Sequence, residues 1–504
     1  MIVDFYENCE IFITGGSGVV GKAIIEKLLR SCNVKKIYIL LRPKKGAPYD
    51  IRLEEIKKSR IFKVLKECKP NELNKLVAIP GDIKEDNLGI PAEYLDQLKN
   101  VSIFFHSAAS TRFNDPLKTA ISLNLKSTYE ALKIGETMTN LKIFLHVSTY
   151  FSNPNLELVE DKVYPAAFDW RTALKILDLD DRDPTLDIIT NKVITGFPNT
   201  YIFTKHLGEK LVDDFRPRIP VAIYKPSIVI AACDDPEEGF TETMTGIMGL
   251  MTIWGTGLLQ AFYVKNFETA LDFTPLDLGT KTVLIFTALK GQLPREKLLE
   301  ATPVGKFSSL AMVYSPLCEY IKTTSEAVYK FPLEKSFWIP NVTVTSCIFI
   351  YWIVVIFSQL IPAILIDFIL SIFRKKPFMM AIQRKIYLTR QALSFFIDNE
   401  SRSDGITDVH EMRKISKGTD FDIGALFEYA KSKERVKLLI HGNVRGCRKF
   451  LLNEPDSSIE RCRKILRAKI MAYNVLKGIV GFFIGRAIYE RTINYLHENQ
   501  LFNY

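Results

Sequence analysis

Apolar and polar residues alternate along the first third of the chain in blocks that read as strand, turn and helix. Residues 11–13 are a short apolar run, and Ala23, Ile24, Ile25, Leu28 and Leu29 recur at helical spacing just behind it. Apolar runs of strand length follow at 36–41, 75–81, 101–105 and 141–147. The segments between them are long enough to carry crossover helices. Alternation of this kind predicts an α/β fold with a doubly wound parallel sheet, whose ligands bind beyond the carboxyl ends of the strands.

The rest of the chain has a different texture. Residues 347–373 are almost continuously apolar, interrupted by Pro362 and Asp367 and followed at once by Arg374-Lys375-Lys376. About 20 such residues suffice to span a hydrocarbon core. Residues 386–470 are helix-rich by pattern. A second apolar run at 475–488 is shorter, contains Lys477 and Arg486, and sets Gly481 and Gly485 four apart, the spacing of a helix-pairing face. The expected organisation is a cofactor-binding domain over 1–335, an apolar membrane segment or hairpin over 345–373, a helical C-terminal domain over 374–470, and a second apolar or amphipathic segment over 474–489.

Between the first strand and helix lies Thr14-Gly15-Gly16-Ser17-Gly18-Val19-Val20-Gly21. Strand, glycine turn and helix in that order open a Rossmann-like dinucleotide-binding unit. Gly15 allows the tight turn, Gly18 lets the backbone approach a pyrophosphate, and Gly21 lets the helix pack against the strand. The helix N-terminus offers free N–H groups to the phosphates. The second strand ends in Arg42, with Lys44 and Lys45 behind it. A basic residue there accommodates a 2′-phosphate and so points to NADPH, although a solvated basic loop is compatible with NADH. Asp82 and Ile83, after the third strand, stand where a carboxylate commonly lies near an adenine. After the fourth strand, His106 is followed by Ser107-Ala108-Ala109, residues small enough to pass beside a bound cofactor. His106 itself reads as structural.

Charge sharpens the division. Of the formal net charge of +10, the span from Arg374 to Tyr504 carries 25 Lys and Arg against 14 Asp and Glu, so the first 373 residues are close to neutral. A basic segment beside apolar runs matches anionic lipid headgroups. No helix-turn-helix, zinc-finger or RNA-binding signature is present, which argues against nucleic acid as a partner. The 8 cysteines show neither metal-ligand spacing nor a disulfide framework, so no metal is expected and a reducing compartment fits. No secretory signal opens the chain.

A tyrosine and a lysine four apart on a helix put an ammonium beside a phenol. The chain offers Tyr129/Lys133, Tyr201/Lys205, Tyr429/Lys433 and Tyr473/Lys477. Position selects Tyr201 and Lys205: they follow the strand ending in Ser148-Thr149, and Pro198-Asn199 marks a helix start just before them. Tyr201 protonates a carbonyl oxygen as it receives hydride, Lys205 lowers the phenol pKa and holds the nicotinamide ribose, and Thr149 orients the carbonyl. The 51 residues between Thr149 and Tyr201 exceed a plain sheet connection and read as part of the substrate entrance.

Taken together, the glycine loop, Leu41-Arg42-Pro43-Lys44-Lys45-Gly46, Ala108-Ala109-Ser110-Thr111-Arg112-Phe113, His146-Val147-Ser148-Thr149, Pro198-Asn199-Thr200-Tyr201 through Lys205 and Pro226-Ser227-Ile228-Val229 resemble the alcohol-forming fatty acyl-CoA reductases, which are extended short-chain dehydrogenase/reductases; the insect members look nearest. Asp420-Phe421-Asp422 and Arg448-Lys449-Phe450-Leu451-Leu452 look like that family's helical C-terminal domain. Three places depart from the pattern: Lys225 replaces an arginine, Tyr150-Phe151 replaces Ala-Tyr, and the loop 231–240 differs. The resemblance implies a long-chain acyl-CoA substrate and two reductions by NADPH. The thioester first loses CoA thiol to give a bound aldehyde, and the aldehyde then becomes a primary alcohol. No acyl-enzyme cysteine is required. The implied cofactor contacts are Thr14, Gly15, Gly16, Ser17, Gly18, Val19, Gly21, Arg42, Asp82, Ile83, Ala108, Tyr201, Lys205 and Pro226. Two other readings remain: a membrane-bound relative acting on a sterol or other lipid alcohol, and a cofactor-binding scaffold without turnover.

The expected setting is a lipid membrane with the catalytic domain facing the cytosol, on endoplasmic reticulum or peroxisome, with a homodimer left open. The positive flank after residue 373 and the cofactor domain before 347 both prefer the cytosolic side. A hairpin bent near Pro362 satisfies both, and it leaves the Asn341 and Asn399 sequons without glycan.

Overall fold

The computed structural model describes residues 1–43, 48–180, 185–310, 315–399 and 403–500. Lys44, Lys45 and Gly46, read above as the basic strand end, and part of the Asn399 sequon lie outside the described residues.

Seven parallel strands form the central sheet: β1 (Glu10–Thr14), β2 (Lys36–Leu41), β3 (Leu76–Pro80), β4 (Ile103–His106), β5 (Ile143–Val147), β6 (Val221–Pro226) and β7 (Val304–Phe307). Their order across the sheet is β3-β2-β1-β4-β5-β6-β7. The order reverses between β1 and β4, where Ile11 pairs with Ile103 and Thr14 with His106. A crevice opens at such a reversal because the connections leave β1 and β4 toward opposite faces. Central strands buried on both faces read as continuous apolar runs, which is why β1, β2, β4 and β5 were visible as patterns. The strands β6 and β7 carry Lys225 and Lys306 and made no comparable run; both lysines are buried in ion pairs, Lys225 with Glu209 and Lys306 with Asp161 and Asp404.

Helix α1 (Val19–Ser31) follows the glycine turn, and α2 (Thr200–Phe215) precedes β6. The Asn199 side chain caps α2 by accepting from the Ile202 N–H at 2.9 Å, as the sequence signal implied. The long connection before α2 covers the flank of the sheet more than an entrance: Trp170, Ala173 and Ile176 pack in one core with Phe203, Leu207 and Tyr129. Its Phe151 is the part that faces the crevice.

The apolar segment Ile348–Ile372 is one helix, here α3, 25 residues long. The chain does not reverse at Pro362, and the helix continues through it. A π-helical turn at Ile356–Leu360 just before the proline takes up its missing N–H and ring. The chain reverses instead after Phe373, at Arg374 (φ 53°), and returns as α4 (Met379–Asp398). Asp367 fixes this reversal, its carboxylate accepting from the N–H groups of Phe378, Met379 and Met380, each at 2.9 Å. One face of α3 packs on the protein through Tyr351, Val355, Gln359 and Ala363, while Phe349, Phe357 and Phe368 point outward. The last helix, α6, follows α5 (Lys433–Gly446) and runs over Ile459–Gln500. Its stretch from Gly478 to Gly485 has nothing packed against the three glycines.

The helices beyond α3 share cores with the sheet. Ile406, Met412, Phe421 and Ile423 are buried in the same cluster as Ile11 and Ile13. The departing loop 231–240 is where α5 docks: a Cβ on Gly446 would sit 1.9 Å from the Gly239 carbonyl oxygen, so two backbones touch there. Arg448, fully buried, locks the following turn by donating to Pro332 O at 3.0 Å, Glu454 Oε2 at 2.9 Å and Pro455 O at 2.9 Å. Arg448→Ala strands the buried Glu454 carboxylate; we expect a loss of about 3–5 kcal/mol of stability in a denaturant titration.

Candidate active site

The glycine turn is built by steric necessity. Gly15 has φ +77°, and a Cβ there would lie 2.7 Å from the Ala108 N, so β1 and β4 could not keep their spacing at this point. A Cβ on Gly21 would lie 2.4 Å from the Gly15 carbonyl oxygen, so α1 could not sit against the turn. Gly18 is the N-cap of α1 and makes no side-chain cap bond, and no acidic residue occupies the first turn. The N-terminal N–H groups are therefore offered to an anion across a surface without side-chain bulk, which fits a pyrophosphate.

This turn opens into a cavity of about 450 Å³ at the carboxyl edge of the sheet. Gly15, Gly18, Val19, Gly21 and Pro226 line it, and so do Thr149, Tyr201 and Lys205. Of the four Tyr/Lys pairs, Tyr201/Lys205 is the one on its wall. Tyr129 packs against Trp170 and Phe215 on the flank, with ring centroids 5.8 and 5.9 Å away. Lys433 pairs with Glu319, and Tyr473 lies on α6 against Trp338.

The remaining expected contacts are distributed otherwise. Gly16 is buried behind the turn against Ile39, and Ser17 is exposed at its tip. Thr14 works beneath the cavity: its hydroxyl is 2.8 Å from His106 Nδ1 and accepts from the Ala108 N–H at 3.4 Å. Ala108 is buried between Ser107 and Ala109, both of which line the cavity. His106 also reaches Thr128 through Nε2 at 3.1 Å, so both ring nitrogens are used. Burial, and then the Lys205 charge, lowers it to about 3. Arg42 and Asp82 pair with each other at 3.7 Å at the ends of β2 and β3, outside the cavity lining, with half-buried Ile83 beside them.

The electrostatics of the pair differ from expectation. Burial raises Tyr201 to about 12, opposed by a hydrogen bond with the Thr149 hydroxyl. Lys205, expected to lower the phenol, directs its ammonium at the sheet and donates to Val147 O at 2.7 Å. Burial lowers Lys205 to about 8, against the pull of Glu209. The phenol is thus held protonated, the form a proton donor requires, beside a lysine that is mostly charged at neutral pH and loses its charge in mild alkali.

Sequence reasoning missed several groups. Glu209, one turn beyond Lys205, accepts from Ser148 Oγ at 2.6 Å and pairs with Lys225 at 2.8 Å, all three buried. Lysine in place of the arginine therefore serves an internal ion pair. The Tyr-x-x-x-Lys-x-x-x-Glu spacing was the available signal. Asn124, in a π-helical turn, holds the loop below the cavity by donating to Ser110 O at 3.2 Å and accepting from the Ser110 N–H at 2.8 Å. The apolar end of the cavity is closed by Phe113, Phe151, Ile247, Leu393 and Phe396. Phe113 lies 5.6 Å from Tyr201 and 5.5 Å from Phe396, ring to ring. No local pattern announces that α4 supplies this wall.

Comparison with known proteins agrees with this construction. Residues 13–283 match the family model described as Male sterility protein. The chain is 32% identical to "Fatty acyl-CoA reductase wat" of Drosophila melanogaster, covering 94% of this chain and 90% of that one. It is 32% identical to "Fatty acyl-CoA reductase 1" of Gallus gallus, over 98% and 95%. Among solved structures, the terminal R domain of the myxalamid PKS-NRPS pathway shares the fold at TM-score 0.55 and 17% identity, covering 89% of this chain and 93% of that one. With half the chain inside the family model and nearly all of it aligned with named reductases, this chain belongs to the fatty acyl-CoA reductase family of extended short-chain dehydrogenase/reductases and is an enzyme built on a nicotinamide-binding fold.

Proposed function

We propose that this protein reduces a long-chain fatty acyl-CoA to the primary fatty alcohol with NADPH, releasing CoA, at a membrane surface facing the cytosol. The observation that carries the reading is the meeting, in one cavity, of the glycine turn, the Thr149/Tyr201/Lys205 set and an apolar end lined by Phe113, Phe151 and Phe396.

The glycine turn and the α1 N-terminus would hold the pyrophosphate, Lys205 the nicotinamide ribose, and Arg42 a 2′-phosphate once released from Asp82. A reduced nicotinamide supplies hydride there. The chain's own part is proton delivery and placement. Thr149 orients the substrate carbonyl, and the Tyr201 phenol gives its proton to the carbonyl oxygen. In the first reduction the C–S bond then breaks and CoA leaves as thiol. In the second, Tyr201 protonates the aldehyde oxygen as a second hydride, from a second NADPH equivalent, reaches the carbon, and the product is the alcohol. The aromatic wall keeps water from the aldehyde between the two reductions. Burial raises the Cys32, Cys233 and Cys447 thiols, which fits direct reduction without an acyl-enzyme. A membrane setting is supported by the outward row of α3, by the exposed Arg374, Lys375 and Lys376 at its end, and by the apolar stretch of α6.

Tyr201→Phe should lower turnover of palmitoyl-CoA about a hundredfold to ten-thousandfold, with NADPH affinity by fluorescence titration nearly unchanged; undiminished thiol release would end the proposal. Lys205 is charged below about 8 and neutral above it, so kcat should fall as pH rises through that value, while Tyr201 stays protonated. Between about 8 and about 10.4 the unfolded lysine holds a proton that the folded one has released, so this residue's contribution to stability rises with pH as the rate falls. Arg42→Ala should raise the KM for NADPH about tenfold to a hundredfold, the worth of a charge-assisted hydrogen bond, and change that for NADH little.

A further inference from the structure

A second cavity, of about 300 Å³, lies between α3 and α4 on the side of the protein that carries the outward apolar row. Its floor is Leu259, Phe262 and Ile386, all buried, and its rim is Trp352, Met380 and Tyr387, all exposed. Its charged lining residues are Arg384 and Arg390, and the Arg390 guanidinium stacks on the rings of Tyr263 and Tyr351 at 4.9 and 5.8 Å. The walls are held by two buried amides: Gln359 Oε1 accepts from the Gln260 N–H at 2.9 Å, and Gln383 Nε2 donates to Leu258 O at 3.4 Å. The cavity is thus a built feature with an apolar floor and an amphipathic mouth.

Helix α4 joins it to the catalytic cavity. The buried face that supplies Ile386 to the second cavity supplies Leu393 and Phe396 to the first. From Ile386 to Phe396 is roughly 15 Å at 1.5 Å per residue. That is about half the roughly 30 Å thickness of a bilayer's hydrocarbon core, the reach of one lipid chain. Leu259, Phe262 and Ile386 from the second cavity and Leu393, Phe396 and Phe151 from the first belong to one apolar cluster.

We infer that the α3–α4 cavity receives the far end of the long alkyl chain whose head is reduced at Tyr201, and that its mouth exchanges that chain with the lipid side of α3. The inference rests on the reductase reading for the identity of the chain, and it adds a chain-length determinant: a short acyl group occupies the catalytic cavity alone, whereas a long one needs both. Methylenes that gain a second apolar site contribute to kcat/KM, and blocking that site removes their contribution.

The test compares palmitoyl-CoA with octanoyl-CoA on full-length protein in detergent, for the natural chain and for Leu360→Trp, which fills the cavity from α3. The expected result is a fall of about tenfold or more in the palmitoyl to octanoyl ratio of kcat/KM. An unchanged ratio in a variant that still binds NADPH overturns the inference. Photolabelling of the natural chain with palmitoyl-CoA and with hexadecanol, each bearing a diazirine at the chain end, should mark peptides of α3 or α4 around Trp352, Leu360 and Tyr387. Labelling by the acyl-CoA assigns the cavity to substrate, and labelling by the alcohol alone assigns it to departing product. Labelling confined to other segments overturns the inference, even if Leu360→Trp fails to fold. Should the natural chain reduce no acyl-CoA at all yet label at α3 and α4, the reductase reading falls and the alkyl site stands.

Discussion

The buried ammonium of Lys205 is the constraint on which the catalytic half depends. A charge in that position is costly unless several groups meet it. The Val147 carbonyl at the end of β5 accepts its hydrogen bond, and Glu209, one turn further along α2, supplies an opposite field. Glu209 is itself fixed by Ser148 from β5's end and Lys225 from β6. Three residues spaced by four on one helix face therefore bind α2 to two strands. That attachment decides where the phenol of Tyr201 stands relative to the glycine turn. The phenol proposed as proton donor is thus placed by contacts that reach beyond its own helix, to the ends of two strands.

The second organising feature is the way the C-terminal helices complete the enzyme. They cover the α/β layer and enter its cores, with Phe421 and Ile423 buried in the same cluster as Ile11 and Ile13. Helix α4 then forms the apolar end of the catalytic cavity. Its own start is set by Asp367, which satisfies three backbone N–H groups that would otherwise lie open beside apolar surface. A carboxylate inside an apolar run, awkward as part of a membrane crossing, is explained as the cap of the next helix. Likewise Pro362 ends no helix, because the π turn before it removes the conflict between ring and carbonyl.

Much of the site was legible in sequence because its chemistry is local. A turn needing positive φ and close backbone contact needs glycine, so Gly15 and Gly21 announce themselves. A helix cap and a four-residue spacing made Tyr201 and Lys205 recognisable. Other contacts were not legible because the partner comes from elsewhere in the chain. The Thr14 hydroxyl, expected near the cofactor, also ties His106 and the Ala108 N–H to the end of β1. Lys205 was expected to lower the phenol, but its ammonium is claimed by Val147. The connection after Thr149 was expected at the entrance and mostly packs on the flank, while Leu393 and Phe396 arrive from almost two hundred residues beyond Tyr201.

By itself the sequence determined the alternating units, the glycine turn, which of four tyrosine-lysine pairs lies at that turn's cavity, and the presence of two long apolar segments. Each follows from periodicity or from residues adjacent in the chain. Only the tertiary structure decided which charges neutralise one another in the interior, which helix closes the cavity, and where the apolar segment turns. Those outcomes depend on desolvation and packing between groups far apart in sequence, and such energies have no value until the surfaces meet.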